Sequence, residues 1–275
     1  MPKLNEVFGI AASVPKYTYV DRAGLDKKFL YLVNHDRHLV IYGASKQGKT
    51  ILRKKNLDEK QSIVIQCRAN SKLEQIYTEI LRQIGTEIPK EISKILTFSA
   101  EGKGKVSGGV QLPLFASGSG ELESTSNFEK SFERVAEPVG ISSDNLGYIT
   151  EEIKRAKKKV IIEDFHYLPE EEKIRLAFDL KAFWDNSVFF VIVGIWAEQN
   201  LLINYNGDLS GRVEEIDIQW TNEELAEIIN KGEQALNILL FEDIKQEILS
   251  DANQNVGLLQ RIAEKYCFEN NVLEK

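Results

Sequence analysis

Apolar residues gather in five short runs, 38–42, 62–67, 160–162, 188–193 and 213–218, rich in valine and isoleucine and separated by segments with helical spacing. Runs of that length without alternation are what strands look like when helices cover both faces of a sheet. The pattern predicts an α/β fold. Helix starts fall between the runs. Ser71 with Glu74 three residues on predicts a capping box before LEQIYTEILRQI, with Gly85 as its stop, and Pro169 followed by Glu170, Glu171 and Glu172 suits the first turn of another helix.

After Trp220 the strand pattern ceases. Thr221 and Glu224 form a second capping box, Leu225, Ile228 and Ile229 repeat at helical spacing, and FEDIKQEIL and VGLLQRIAEKYC predict two further helices. The reading is therefore an α/β domain over 1–219 and a helical subdomain over 220–275. One stretch breaks the order: six of the 18 glycines lie between 102 and 120, which marks 96–128 as an insertion, either a twisted hairpin or a mobile loop.

Composition narrows the setting. The 275 residues suit one large domain or one with a small appendage, and 35 basic against 42 acidic residues give a net charge of −7, so any contact with nucleic acid or an anionic membrane must be local. Cys67 and Cys267 stand far apart, which argues against a disulfide framework or a cysteine-rich zinc site and for a reducing compartment. The longest apolar run, 188–197, is too short for the roughly 20 residues of a membrane span, and Glu6 interrupts any leader-like stretch. The expectation is a soluble cytoplasmic protein without membrane partners.

Gly43-Ala44-Ser45-Lys46-Gln47-Gly48-Lys49-Thr50 fits GxxxxGK[ST], after the apolar run RHLVIY and before the helical ILRKKNL. Phosphates are strongly anionic, so a curl of main-chain N–H groups and a helix N-terminus make their cradle, and glycine permits the curl. Lys49 would reach the terminal phosphates and Thr50 would offer its hydroxyl to Mg²⁺. With Ile51 these residues are the expected nucleotide contacts. A plain glycine turn at a strand–helix junction is the other explanation of the bare pattern.

Nucleotide hydrolysis also needs acidic groups at a strand end. KKVIIEDFHYL supplies Glu163 and Asp164 after three apolar residues. Adjacent strand residues point to opposite faces, so the two can divide the work, Glu163 toward the metal and Asp164 toward the attacking water, with the reverse assignment open. Acidic caps on an exposed strand end are the alternative. His166 fits a hydrogen-bonded structural residue better than a base, and the basic run 154–159 fits a solvated helix end better than a nucleic-acid patch.

On PKYTYVDR, YGASKQGKT, VIIEDFHYL, VFFVIVG, LSGRVEEIDI and the helical tail, the chain resembles the AAA+/STAND division of P-loop ATPases, in particular origin-recognition and transposition-associated ATPases. The resemblance implies a P-loop three-layer sandwich with a parallel sheet of order 5-1-4-3-2 and a helical lid. It implies an adenine pocket drawn from Pro15, Tyr17, Tyr19, Val20 and Arg22, although a Tyr-Thr-Tyr-Val run could equally be an edge segment packed on the core. It also implies an arginine finger at Arg212 reaching a neighbouring subunit. An ion pair of Arg212 with Glu214 or Glu215 is the competing explanation. Three departures point to slow turnover: the fourth strand ends Gly194-Ile195-Trp196 in place of a polar sensor, Asn255-Val256-Gly257 stands where the lid usually has an arginine, with Arg261 a turn later, and the acidic pair reads Glu-Asp.

The leading expectation is an ATP- and Mg²⁺-dependent switch that self-associates when loaded, hydrolyses ATP slowly, and serves signalling or antiviral defence through a separate effector chain. The alternative is a DNA-transaction factor of the initiator or transposition-helper type that contacts DNA through the insertion.

Overall fold

The computed structural model describes residues 2–11, 13–86 and 143–272; the glycine-rich 96–128 stretch lies outside the described residues. Within them run α1 (Leu4–Val7), α2 (Leu25–Val33), β1 (His38–Tyr42), α3 (Lys49–Asn56), β2 (Ser62–Gln66), α4 (Leu73–Ile84), α5 (Ser143–Ala156), β3 (Lys159–Glu163), α6 (Glu170–Asp185), β4 (Phe190–Val193), α7 (Leu201–Tyr205), β5 (Val213–Asp217), α8 (Asn222–Leu236), α9 (Glu242–Ala252) and α10 (Val256–Glu269).

All five predicted runs become strands: 38–42 is unchanged, 160–162 gains a residue at each end, and the other three lose one or two residues. They pair in parallel in the order β2-β3-β4-β1-β5, which is the expected order read from the other edge. Alternation of side chains explains the layering. Leu39, Ile41, Ile161, Val191 and Val193 enter one core with Phe29 of α2 and Leu52 of α3. Val40, Tyr42, Val160, Ile162 and Ile192 enter the other with Ile76, Ile80, Ile149, Leu176 and Phe183 of α4, α5 and α6. Each face is covered, hence the apolar runs.

His38, inside the first run, is fully buried and satisfied on both nitrogens: Nε2 donates to Leu180 O at 2.9 Å and Nδ1 accepts from Phe190 N at 3.0 Å. Burial pulls its pKa down to about 4.

The second capping box is present, with Thr221 Oγ1 accepting from Glu224 N and Glu224 Oε2 from Thr221 N. The first is displaced by one residue. α4 begins after Lys72, whose N–H is taken by Gln75 Oε1 at 3.0 Å, while Ser71 Oγ closes the preceding turn on Arg68 N. Glu74 instead turns inward to pair with Arg175, because it faces α6. Gly85 stops α4 with φ 83°.

Helices α8, α9 and α10 share a core of Leu225, Ile228, Ile229, Ile248, Leu249 and Leu259, joined by Val20 and Trp220. The N-terminal segment packs here too, with Leu4, Val7 and Phe8 against Leu236, Ala263 and Cys267. Gly232 is required at that contact, since a Cβ would lie 2.0 Å from the Phe8 ring. No helix among the described residues is long and apolar enough to cross a membrane.

Candidate active site

The β1–α3 loop is shaped by its glycines and by the helical subdomain. Gly43 has φ 132°, and a Cβ there would lie 2.7 Å from Ile218 O; Gly48, at φ 85°, caps α3. Three carbonyls of the loop are held from outside: Ser45 O by Asn255 Nδ2, Lys46 O by Gly257 N and Gln47 O by Trp220 Nε1, each at 3.1 Å. Gln47 Nε2 returns a bond to Gln254 O at 3.0 Å. No hydrogen bond among the described residues takes up the N–H groups of Ser45, Lys46 or Gly48. Lys49 Nζ lies inside the curl and donates to Gly43 O and Ala44 O. Burial pulls its pKa down to about 8, opposed by the charges of Asp164 and Asp217.

Glu163 and Asp164 leave the end of β3 in different directions. Glu163 is buried; its Oε2 lies 3.5 Å from Thr50 Oγ1 and its Oε1 accepts from Arg53 Nε at 2.9 Å. Asp164 adopts a left-handed backbone, φ 57°, and its Oδ2 accepts from Gln66 Nε2 at 2.8 Å. A cleft of about 750 Å³ joins these groups to Lys49, Thr50 and Ile51 and runs on to the N-terminal segment.

At that far end the expected pocket residues separate. Pro15, Tyr19, Val20 and Arg22 line the cleft, whereas Tyr17 packs against the cluster built on Leu4, Phe8 and Leu236. Tyr19 is anchored by its hydroxyl to Asp26, which with burial raises its pKa. Arg22 is buried with its guanidinium 4.1 Å above the Trp220 ring, and its Nη1 has no hydrogen-bond partner.

No protein-family model matches the sequence, and no curated protein matches it closely enough to be called a relative. Solved structures do match the fold. A Walker-type ATPase of Pyrococcus abyssi superposes with a TM-score of 0.59 at 17% identity, over 97% of this chain and 73% of that one. A STAND protein with a tetratricopeptide-repeat sensor from Pyrococcus horikoshii gives 0.52 at 18% identity, over 96% of this chain but 33% of its own. Cdc6p from Pyrobaculum aerophilum gives 0.52 at 15%, over 97% and 66%. The chain has the P-loop NTPase α/β fold.

Against that fold the departures acquire a structural cause. At the end of β4, the place of the expected polar sensor, Trp196 folds back over Gly194, where a Cβ would lie 2.2 Å from its ring. Trp196 stacks on Tyr42 with centroids 5.7 Å apart and planes 8° apart, and meets Phe165 edge-on. Its indole N–H has no partner. In the lid, Gly257 meets the loop, and a Cβ there would lie 2.6 Å from Lys46 Cβ. Arg261 lies on another surface, beside Lys3 and Phe268.

Arg212 is one strand length from the loop, since it precedes β5 and its carbonyl accepts from His38 N at the start of β1. Its guanidinium bonds Asp208 O and lies 4.7 Å from the Trp184 ring. Neither Glu214 nor Glu215 pairs with it: Glu214 is held by Arg37, and Glu215 accepts from Asn200 N. His166 is not among the cleft residues; its ring packs on Tyr167 and its buried Nδ1 lacks a partner, so the hydrogen-bonded role expected for it is not seen at that atom.

Sequence reasoning missed Arg53, Trp220, Asn255 and Asp217. A basic residue three positions after Thr50 on one helix face was a usable signal for Arg53. Trp220, at the border of the two compositional regimes, could have been singled out as a junction residue. Asn255 stood out only as part of the segment in place of a lid arginine, and nothing local marked Asp217.

Proposed function

We propose that this chain binds ATP with Mg²⁺, hydrolyses it slowly and uses the loaded state as an assembly switch. The observation that carries the reading is the loop itself: three carbonyls are tied outward by Asn255, Gly257 and Trp220, while the N–H groups of Ser45, Lys46 and Gly48 remain available beside the Lys49 ammonium. A nest of donors with one cation suits a triphosphate. The extended far end of the cleft, with Tyr19, Arg22 and Trp220, suits a flat base.

Thr50 Oγ1, Glu163 Oε2 and the Asp164 carboxylate are hard oxygen donors of the kind Mg²⁺ takes. Among the described residues no group of three or more histidine, cysteine or acidic side chains could hold a metal by itself, so the nucleotide's phosphate oxygens would complete the set. Bound there, the ion would supply neutralisation of phosphate charge. Glu163 serves the metal side because it faces Thr50. Asp164, turned the other way toward Gln66, orients the attacking water.

Trp196 and Gly257 stand where a phosphate-sensing polar group and a lid arginine would speed hydrolysis, which supports slow turnover. Arg212, remote from its own cleft, would act on a neighbouring copy. A separate effector chain, in signalling or antiviral defence, draws support from the fold shared with the STAND protein, of whose length this chain spans a third. The DNA reading draws on the fold shared with Cdc6p, but Lys154 pairs with Glu151, Arg155 with Glu152, and Lys159 bonds Val33 O, which leaves less of the basic run for phosphates.

The test is molecular size with and without a slowly hydrolysed ATP analogue, for wild type and Arg212→Ala. Nucleotide-linked assembly with faster phosphate release in the wild type alone is expected. An unchanged monomer in both overturns the switch.

A further inference from the structure

Arg53 is the most deeply buried cation at the cleft, 2% exposed, and leaves α3 three residues after Thr50 on the same helix face. Its Nε and Nη2 both donate to Glu163 Oε1 at 2.9 Å. Its Nη1 has no hydrogen-bond partner and lies 3.9 Å from the carboxylate of exposed Glu59. Thr50 Oγ1 meets only the other oxygen, Oε2. One carboxylate therefore carries an internal cation on one oxygen and offers the other toward Thr50.

We propose that Arg53 is a built-in counter-cation that keeps a free divalent ion out of the nucleotide-free cleft, so that metal enters only with the nucleotide. The proposal rests on the reading of Glu163 as the metal-side carboxylate. A guanidinium stays charged at any physiological pH, and burial strengthens its field. A free divalent ion approaching Glu163 meets a carboxylate whose charge is already cancelled and a like charge behind it. A triphosphate changes the sign of the cleft, because its negative charge outweighs Arg53 and Lys49 together and draws the ion to the Thr50 side. Arg53 is thus a positioning residue: it fixes which oxygen of Glu163 is available, and it makes metal binding conditional on nucleotide.

Mn²⁺, counted by its paramagnetic signal, is titrated into the protein without nucleotide and again with a non-hydrolysable ATP analogue. Wild type is expected to show no saturable binding without nucleotide at concentrations that saturate the loaded protein. Arg53→Gln is expected to raise the nucleotide-free affinity by about tenfold or more. Arg53→Lys, which keeps the charge, is expected to stay with wild type. The proposal is overturned if wild type binds Mn²⁺ equally tightly in both states, if Arg53→Gln gains nothing, or if Arg53→Lys gains as much as Arg53→Gln. Should Arg53→Gln fail to fold, the two wild-type titrations decide. Analogue binding in the presence of a chelator is measured alongside: a wild type that never binds the analogue overturns the nucleotide reading itself, whereas one that binds it and takes Mn²⁺ regardless overturns only the role of Arg53.

Discussion

Gly257 donates its main-chain N–H to Lys46 O at 3.1 Å, and its α-carbon approaches so closely that any Cβ would clash with the Lys46 side chain. The start of the last lid helix is thereby seated on the loop that would hold phosphate. Lid position and loop shape are one mechanical unit, because a shift of α10 also moves Asn255, which holds Ser45 O.

Gly257→Val should therefore push the lid from the loop without disturbing the sheet. The expected outcome is a loss of nucleotide affinity of about tenfold, the size of one or two lost hydrogen bonds, with unfolding midpoint little changed. Equal affinity in the variant, measured by calorimetric titration, would show that the lid contact is incidental.

Lys49 is expected to make nucleotide binding dependent on pH. Its pKa of about 8 in the free protein means that the ammonium is partly deprotonated above that pH, while an anionic phosphate would restore the proton. Binding at pH 8.5 should take up part of a proton and binding at pH 6.5 should take up none through Lys49. Titration in buffers of different ionisation enthalpy reads this directly, and the absence of uptake at pH 8.5 in wild type would count against the lysine's place in the site.

His38 and Asp179 pull stability in opposite directions as pH falls. His38 has a folded pKa of about 4, below its ordinary 6.5, so between these values the unfolded chain binds a proton the fold refuses, and stability drops on acidification. From pH 6.5 to 5 the loss is on the order of 2 kcal/mol. Asp179, part-buried, is raised to about 6 by its burial, against the Tyr77 hydroxyl bond and the Arg175 charge that pull it down, so the fold binds a proton before the unfolded chain does and gains stability on acidification below pH 6. Urea unfolding at pH 6.5 and 5 should show His38→Asn losing less stability than wild type on acidification and Asp179→Asn losing more. Parallel slopes in all three proteins would refute the assignment.

Much of this architecture was legible from the chain because its signals are local. A strand covered on both faces has no polar side to show, so 38–42 and 160–162 stood out as apolar runs. The curl of the β1–α3 loop was legible because it needs glycine at particular positions in one short segment. What could not be read depends on contacts far apart in sequence: Trp220 with Gln47, Gly257 with Lys46, and Arg53 with Glu163. The cap of α4 was misplaced for a similar reason, since Glu74 was claimed by Arg175 on α6 and Gln75 took its place at the helix start.

Asp164→Asn should retain nucleotide affinity and lower phosphate release by about a hundredfold or more, the usual scale for a lost general base. The isosteric change keeps an acceptor for Gln66 Nε2. A variant that hydrolyses as fast as wild type would move the water-orienting role to another group.

The most direct measurement is equilibrium binding of a fluorescent ATP analogue to wild type and Lys49→Ala. The Lys49 ammonium sits inside the curl of Gly43 and Ala44, so its removal should weaken binding by at least about tenfold while competition by unlabelled ATP persists in the wild type. Equal affinity in the two proteins, or no binding by either, would contradict a phosphate site at this loop.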